Sequence, residues 1–170
     1  MPHFEITPAR REDVATIVAL VRELAVYEKL EAMMVSTTAD FERELFGPQA
    51  IVECLIARED GHAVGFALFF HNFSTFLGRR GLYLEDLFVQ PAHRGKGYGK
   101  ALLVRLAQIA VERRCGRFEW SVLDWNEPSI RFYEAMGAKV LPEWRIVRTT
   151  GDSLAALATR TERDEDQSRQ

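Results

Sequence analysis

The hydrophobic positions near the start of the chain repeat with two different periods. Phe4 and Ile6 alternate with polar neighbours, which predicts a short strand. Apolar residues between Val14 and Leu24 then recur at helical spacing, after two acids in the positions that a helix dipole favours. A second, shorter helix is predicted around residues 39–46, where a glycine–proline pair follows.

The middle of the chain changes to a pattern of apolar runs separated by turns. Residues 51–57, 63–70 and 81–89 each predict a strand, and Asp60-Gly61 predicts the turn between the first two. Residues 99–114 carry an apolar stripe at helical spacing, with arginines on the opposite side. A long helix therefore follows the third of these strands.

The remainder of the chain predicts a strand, a helix and a last strand. Residues 118–123 and 144–147 have strand-like patterns, and Pro128 begins a helix that Gly137 ends. The polar segment 161–170 has no apolar periodicity and is predicted to be a disordered tail.

This order of elements predicts the fold class. A meander of strands followed by strand–helix–strand–helix–strand indicates a mixed α/β protein. We expect a central, twisted, mixed sheet of six to seven strands with helices on both faces. The length of 170 residues suits one domain, predicted to span residues 1–160.

Composition narrows the possible environment and partners. The chain is 47% hydrophobic, yet no apolar run reaches the length of a membrane-spanning helix, and its first residues contain no apolar signal core. A net charge of −3 argues against nucleic acid as a partner. Cys54 and Cys115 are interpreted as buried thiols of a cytoplasmic protein. The four histidines lack metal-ligand spacing, so we expect no metal.

A glycine-rich, basic segment, Arg94-Gly95-Lys96-Gly97-Tyr98-Gly99-Lys100, lies between a predicted strand and a predicted helix. Glycine is the residue that lets backbone N–H groups approach an anion closely, and a helix N-terminus adds further N–H groups and positive potential. The segment therefore predicts a pyrophosphate-binding loop, which we call the coenzyme loop. A basic, solvated turn is the alternative interpretation.

Two common nucleotide-binding patterns do not fit the coenzyme loop. The ATP/GTP loop requires a serine or threonine after its lysine, and Ala101 stands there instead. The dinucleotide fingerprint that begins at Gly95 and Gly97 requires a third glycine where Lys100 stands.

The loop instead resembles that of the GNAT superfamily of N-acetyltransferases, whose pattern [Q/R]-x-x-G-x-[G/A] is met by Arg94, Gly97 and Gly99. Longer segments resemble the diamine (spermidine/spermine-type) acetyltransferases of that superfamily: RELAVYEKL, YLEDLFVQPAHRGKGYGKALL and LDWNEPSIRFYEAMGA. The resemblance covers about residues 3–148. The sequences LDWN and FST look most similar to the thialysine N-epsilon-acetyltransferase branch.

The resemblance implies acetyl-CoA as the co-substrate. In such a protein a strand backbone pairs with the pantetheine arm, the coenzyme loop binds the pyrophosphate, and the start of a later helix makes a second contact. The residues assigned to coenzyme binding are Leu87, Phe88, Val89, Arg94, Gly95, Lys96, Gly97, Tyr98, Gly99, Lys100, Asn126, Glu127, Pro128, Ser129 and Tyr133.

The resemblance also implies catalytic and acceptor-binding residues. Tyr133 matches the catalytic tyrosine, and Glu85 matches the carboxylate that accepts the amine proton, through a water molecule. Tyr27 and Glu28 match acceptor-binding positions. Together with Glu85 and Asp86, they are predicted to form an acidic acceptor pocket. Members of this family are typically homodimers.

These roles agree with the chemistry of amine acylation. A primary amine has a pKa of about 10, so a base must remove its proton before it attacks a thioester. Glu85 and Asp86 interrupt an apolar strand and point to opposite faces, so the two acids meet different surroundings. Acids on a half-exposed strand, and a core tyrosine at position 133, are the structural alternatives.

Two departures from the resemblance bear on the acceptor. Polyamine-specific relatives carry an aspartate in the segment that residues 72–76 occupy here, and this chain has none. The loop at residues 139–143 also looks shorter. The sequence thus predicts direct acetyl transfer to a small amine such as a diamine, thialysine or a related amino acid. Acylation of a protein or peptide lysine, and a non-catalytic acetyl-CoA sensor, are the alternatives.

Overall fold

The computed structural model describes residues 2–160, so the predicted tail at 161–170 lies outside the described residues. Its strands are β1 (Phe4–Pro8), β2 (Glu53–Glu59), β3 (His62–Ser74), β4 (Arg79–Val89) and β5 (Arg117–Trp120). Its α-helices are α1 (Val14–Tyr27), α2 (Thr38–Phe46), α3 (Tyr98–Glu112), α4 (Glu127–Ala135) and α5 (Gly151–Ala158).

The chain divides into two compact units. The first ends at Ser121 and contains all five strands with α1, α2 and α3. The second begins at Val122 and contains α4 and α5. That residues 1–160 form a single domain stays a prediction.

The sheet of the first unit has the strand order β1-β2-β3-β4-β5. The first three pairings are antiparallel, and β4 pairs with β5 in parallel. Short turns join β2 to β3 and β3 to β4, whereas α1 and α2 lie between β1 and β2. A parallel pair needs a crossover connection, and α3 provides it between β4 and β5. The sheet is therefore mixed, as predicted.

Helices cover both faces of this sheet. One face contributes Ile56, Phe66 and Phe88 to a core that also contains Ile17 and Leu20 of α1. Strand neighbours of these residues point the other way because side chains alternate along a strand. The opposite face packs against α3, whose apolar stripe is buried at Leu102, Leu103, Leu106 and Ile109.

The number of strands is lower than predicted. The sheet of the described residues has five strands rather than six or seven, because residues 144–147 form no strand. The side chains of Trp144 and Val147 are 77% and 95% exposed, so this apolar run has no buried face to hold it in a ladder. The helix α5, which the sequence analysis did not predict, follows this segment.

A β-bulge interrupts the pairing of β3 with β4. Leu68 lies opposite Asp86, whereas the next residue, Phe69, lies opposite Leu84. Glu85 is thus the extra residue on β4, where a bulge bends a strand and redirects its side chains. The structure therefore places the predicted catalytic acid at the irregular point of the longest antiparallel pairing.

The two cysteines are free thiols, as predicted, but only Cys54 is fully buried, since Cys115 is half-buried. Burial raises the pKa of the Cys54 thiol, which keeps it protonated and unreactive. In the described part of the chain, none of the helices has the length and apolar character needed to cross a membrane.

Candidate active site

The C-terminal half of β4 contains the residues for which the family resemblance implies pairing with the pantetheine arm. The parallel partner β5 pairs with β4 only from Gly81 to Leu84. Residues 86–89 continue to pair with β3 on their other side, beyond the end of β5. Within the described residues, no strand pairs with this stretch on the β5 side, so its edge is open to an extended ligand.

The side chains of this stretch alternate around the open edge. Phe88 is buried in the core beneath α1, while Leu87 and Val89 are half-buried on the other face. Hence the Phe88 side chain packs into the core on the α1 side of the sheet. A coenzyme contact at Phe88 would come from its backbone.

The coenzyme loop follows directly, between a short 3₁₀ turn at Pro91–His93 and the start of α3. Gly95 and Gly97 have φ angles of +78° and +85°, a left-handed backbone conformation that residues other than glycine rarely adopt. Gly97 is also the N-cap residue of α3. This geometry exposes backbone N–H groups at a helix N-terminus, where an anion binds well.

Room remains around both glycines for a ligand. A Cβ atom built on Gly95 or Gly97 would meet no other atom within 4 Å. The loop is thus an open surface lined by backbone, which fits the pyrophosphate of a coenzyme on geometric grounds. Because Lys100 is exposed in the first turn of α3, it can add a cation there.

Arg94 connects the coenzyme loop to the predicted acceptor residues. Its Nε donates to the carbonyl oxygen of Val89 at 2.9 Å. Its guanidinium lies over the ring of Tyr27, 4.6 Å from the centroid, and 5.6 Å from the centroid of Phe88. The predicted coenzyme and acceptor positions of the first unit therefore meet around one arginine.

Lys96 and Tyr98 make different contacts from those expected of the coenzyme loop. The Nζ of Lys96 lies 2.7 Å from Oε1 of Glu59 in an ion pair. Tyr98 is buried, and its ring stacks on Phe4 with a centroid distance of 4.1 Å. For this reason a phosphate contact at Tyr98 would involve its backbone rather than its side chain.

Three acids lie together beside the open edge: Glu28 at the end of α1, and Glu85 and Asp86 on β4. Burial raises the pKa of Asp86 to about 7, and the neighbouring charges of Glu85 and Glu28 add to this effect. Burial also raises the pKa of Glu28. Glu85 is exposed. Asp86 is therefore partly protonated near neutral pH.

The remaining predicted residues belong to the second unit. Asn126 is buried as the N-cap of α4, where its Oδ1 accepts a hydrogen bond from the backbone N–H of Ser129 at 3.4 Å. Glu127 and Pro128 form the first turn of that helix. Tyr133 lies farther along it, with its ring 5.3 Å from that of Phe132. Within its own unit, this segment forms a capped, ordered helix, as predicted.

Glu59 is a residue that sequence reasoning missed. It lies at the end of a strand, next to a turn, where an acid normally faces water. Its interaction with the coenzyme loop depends on a contact 37 residues away, for which a single sequence contains no signal.

Among the described residues, no group of three or more histidine, cysteine or acidic side chains could hold a metal ion.

Comparisons with known proteins agree with this geometry. Residues 17–138 match the family model described as Acetyltransferase (GNAT) family. The chain is 46% identical to an L-ornithine N5-acetyltransferase of Arabidopsis thaliana over 118 residues, which are 69% of this chain and 49% of that protein. It therefore spans about half the length of that relative.

Two further relatives match over almost their whole lengths. A thialysine N-epsilon-acetyltransferase of Sus scrofa is 32% identical, over 90% of this chain and 96% of that protein. A solved integron cassette protein from the mobile metagenome of V. cholerae superimposes with a TM-score of 0.78 at 28% identity, and covers 92% of this chain and 98% of its own. With its open β4 edge, its glycine-rich loop and these matches, the chain belongs to the GNAT family of acetyltransferases.

Proposed function

We propose that this protein transfers an acetyl group from acetyl-CoA to the primary amine of a small, cationic acceptor. The observation that carries the proposal is the juxtaposition of an open strand edge, a phosphate-binding loop and a cluster of three acids within the first unit. Relatives named for acetylation of ornithine and of thialysine support this class of acceptor.

Acetyl-CoA supplies an activated acyl group as a thioester. In this proposal the backbone of residues 87–89 pairs with the pantetheine arm along the open edge of β4. The N–H groups of the coenzyme loop bind the pyrophosphate, with Lys100 as an added cation. A backbone N–H near Phe88 meets the oxyanion that develops during transfer.

The acids define the acceptor site. Glu28 and Asp86 attract a cationic amine, and Tyr27 is the last residue of α1, directly before Glu28. Because Glu85 is exposed at the bulge, its carboxylate can take up the amine proton through water, in the role that the resemblance gives it. The neutral amine then attacks the thioester directly, with both substrates bound.

Tyr133 is proposed as the proton donor to the thiolate that leaves. The coenzyme thiol has an ordinary pKa of about 8.5, so its thiolate leaves more readily when a hydroxyl donates to it. Asn126 and the first turn of α4, Glu127 to Ser129, are proposed to make the second coenzyme contact.

The test is thiol release from acetyl-CoA with a panel of amines: ornithine, thialysine, lysine, short diamines, spermidine and a lysine peptide. We expect strong turnover with one small amine and weak turnover with spermidine and with the peptide. Tyr133→Phe should lower kcat by roughly 10²-fold with little change in coenzyme affinity, because general acid catalysis contributes about that much.

Other outcomes identify the alternative functions. Efficient turnover of the peptide alone would indicate a protein acetyltransferase. Coenzyme binding without turnover of any amine would indicate a sensor. An unchanged kcat in Tyr133→Phe would contradict the role proposed for that hydroxyl.

We further propose that the protein is a cytoplasmic homodimer, as the family resemblance implies. Sedimentation equilibrium should therefore give twice the mass of one chain at micromolar concentration. A mass that equals one chain throughout the concentration range would contradict the dimer and leave the proposed reaction unaffected.

A further inference from the structure

Glu59 is an acid that lies outside the proposed catalytic site and yet contacts the coenzyme loop. It is the last residue of β2, and its side chain is only 9% exposed. Burying a carboxylate is costly unless it is paired or hydrogen-bonded. The position therefore calls for partners that hold this carboxylate in its ionised form.

Two of these partners belong to the coenzyme loop, and the third, His93, directly precedes it. The Nζ of Lys96 donates to both carboxylate oxygens, at 2.7 and 3.0 Å. The Nδ1 of His93 lies in hydrogen-bond contact with Oε2, and the Tyr98 hydroxyl donates to the same carboxylate. One carboxylate thus binds side chains from before, within and after the two left-handed glycines.

The sheet holds Glu59 itself in place. Its partner on β3 is His62 and its partner on β1 is Phe4, so the residue belongs to two strand pairings. Phe4 also stacks on the ring of Tyr98, with an angle of 3° between the ring planes. The coenzyme loop and the start of α3 therefore contact two paired residues of the sheet, Glu59 and Phe4.

This attachment matters because the loop is rich in glycine. Glycines lose more conformational entropy on ordering than other residues, and a loop that must order on binding loses affinity. An ion pair that holds Lys96 orders the loop before the ligand arrives. In this ion pair the ammonium of Lys96 already binds the carboxylate of Glu59.

The charge state of the pair is consistent with this arrangement. The hydrogen bond from Lys96 is the largest influence on the Glu59 carboxyl and lowers its pKa, against the opposing effect of burial. The same hydrogen bond raises the pKa of Lys96. Both groups are therefore ionised at neutral pH, and the ion pair persists through the physiological range.

We propose that Glu59 is a positioning residue for coenzyme binding, which preorganises the coenzyme loop through Lys96, His93 and Tyr98. This inference rests on the proposed binding of acetyl-CoA at that loop. Backbone N–H groups then bind the phosphates, and Lys96 acts chiefly by holding these groups in place.

The test compares Glu59→Gln with a matched control, Glu53→Gln. Glu53 lies on the same strand and forms an ion pair with Arg113, at 2.5 and 2.8 Å, far along the strand from the coenzyme loop. Calorimetry with coenzyme A should show about tenfold weaker binding for Glu59→Gln, which is the effect of one hydrogen bond to a charged group. Glu53→Gln should bind coenzyme A as the wild-type protein does.

Kinetics separate positioning from a general effect on the fold. In Glu59→Gln the KM for acetyl-CoA should rise by about the same factor as the dissociation constant, while kcat stays within about twofold. Acetyl-pantetheine, which lacks the phosphates, should be used equally well by the variant and by the wild-type protein. If acetyl-pantetheine turnover falls as well, the role proposed for Glu59 is wrong.

A second variant covers the case in which Glu59→Gln does not fold. Lys96→Met removes the partner on the loop and should weaken coenzyme A binding to a similar extent. The double variant of Glu59→Gln with Lys96→Met, if it folds, should bind coenzyme A no more weakly than either single variant, because both substitutions remove the same interaction. Unchanged or tighter binding in Lys96→Met would overturn the proposal.

The failure of this proposal differs from the failure of the proposed function. If the wild-type protein does not bind coenzyme A, the proposed function fails. If the wild-type protein binds and Glu59→Gln binds equally well, or if Glu53→Gln is equally impaired, only the role of Glu59 is refuted.

Discussion

At the scale of single residues, Asp86 shows most clearly how the surroundings of a side chain change its pKa. The carboxyl has a pKa of about 7 because it is buried and faces the charges of Glu85 and Glu28. A free aspartate ionises near 3.9. The folded state therefore retains a proton on this group over a range in which the unfolded chain has lost it.

This difference makes stability depend on pH. Between about pH 4 and pH 7 the folded state binds one proton more than the unfolded state at this position, so the free energy of unfolding falls as the pH rises. We expect Asp86→Asn to remove this fall and to be more stable than the wild-type protein at pH 8, by about 1–3 kcal/mol. Urea denaturation of both proteins at pH 5 and pH 8 measures the difference between them.

The comparison of the two proteins cancels the titration of distant groups. Glu85→Gln is the control, since it removes a neighbouring charge and leaves the Asp86 carboxyl in place. The free energy of unfolding of Glu85→Gln should depend on pH less strongly than that of the wild-type protein, but the dependence should not vanish. Equal pH dependence in the wild-type protein and in Asp86→Asn would show that Asp86 titrates normally.

The sequence identified these acids but did not distinguish between them. Glu85 and Asp86 are adjacent in an apolar run, and alternation alone places them on opposite faces. The bulge at Glu85 changes that alternation, and the bulge depends on the register between β3 and β4. Which of the two acids is the less exposed thus follows from a pairing that no local pattern reveals.

At the scale of elements, the junction of the coenzyme loop with α3 combines conformation and binding in one glycine. Gly97 caps the helix with a φ of +85°, and the backbone N–H of Ala101 donates to its carbonyl oxygen at 2.9 Å. A residue with a Cβ costs about 1–2 kcal/mol in this conformation. The open space around the glycine excludes a steric clash as a further cost.

We expect Gly97→Ala to lower stability by about 1–2 kcal/mol and to weaken coenzyme A binding as well. The loss of affinity follows because the Cβ raises the energy of the conformation that presents the loop N–H groups. Denaturant unfolding measures the first effect, and calorimetry with coenzyme A measures the second.

A matched variant is available in the turn between β3 and β4. Gly78 also has a positive φ, of +61°, and open space around it. Gly78→Ala should cost similar stability and leave the affinity for coenzyme A unchanged. If the two variants bind coenzyme A equally well, the conformation of Gly97 has no part in binding.

Elements with strong periodicity were predictable, and those that depend on a distant partner were not. The helices α1 and α3 and the strands β2 to β4 occur where the sequence predicts them, because each has an apolar face to bury. The run at residues 144–147 has a similar alternation, but its side chains remain exposed. Strand formation requires an available sheet edge, and the periodicity of a segment does not report one.

At the scale of the first unit as a whole, the sheet separates two apolar layers. Phe66 belongs to the layer beneath α1, and Leu106 belongs to the buried stripe of α3. Both side chains are fully buried. Their removal therefore tests the two layers separately.

We expect Leu106→Ala to lower the free energy of unfolding by about 2–5 kcal/mol, and Phe66→Ala by about 3–5 kcal/mol. The effects in a double variant should add to within about 0.5 kcal/mol, because the two residues occupy opposite faces of the sheet. Denaturant titration of the three variants measures these values.

As a control, Val111→Ala should change stability by less than about 0.5 kcal/mol, since Val111 is exposed. A strongly non-additive double variant would indicate that the two layers rearrange together.

The order of strands and helices from β1 to α4, the glycine-rich loop and the family were predictable from the sequence, because each depends on local periodicity or on a motif of adjacent residues. The sequence was also sufficient to nominate Arg94, Glu85 and Tyr133, through their places in motifs. Folding was needed for everything that joins distant segments: the open edge beyond β5, the extra residue at Glu85, and the raised pKa of Asp86. The same holds for the ion pair between Glu59 and Lys96, since burial and pairing depend on which parts of the chain become neighbours in space.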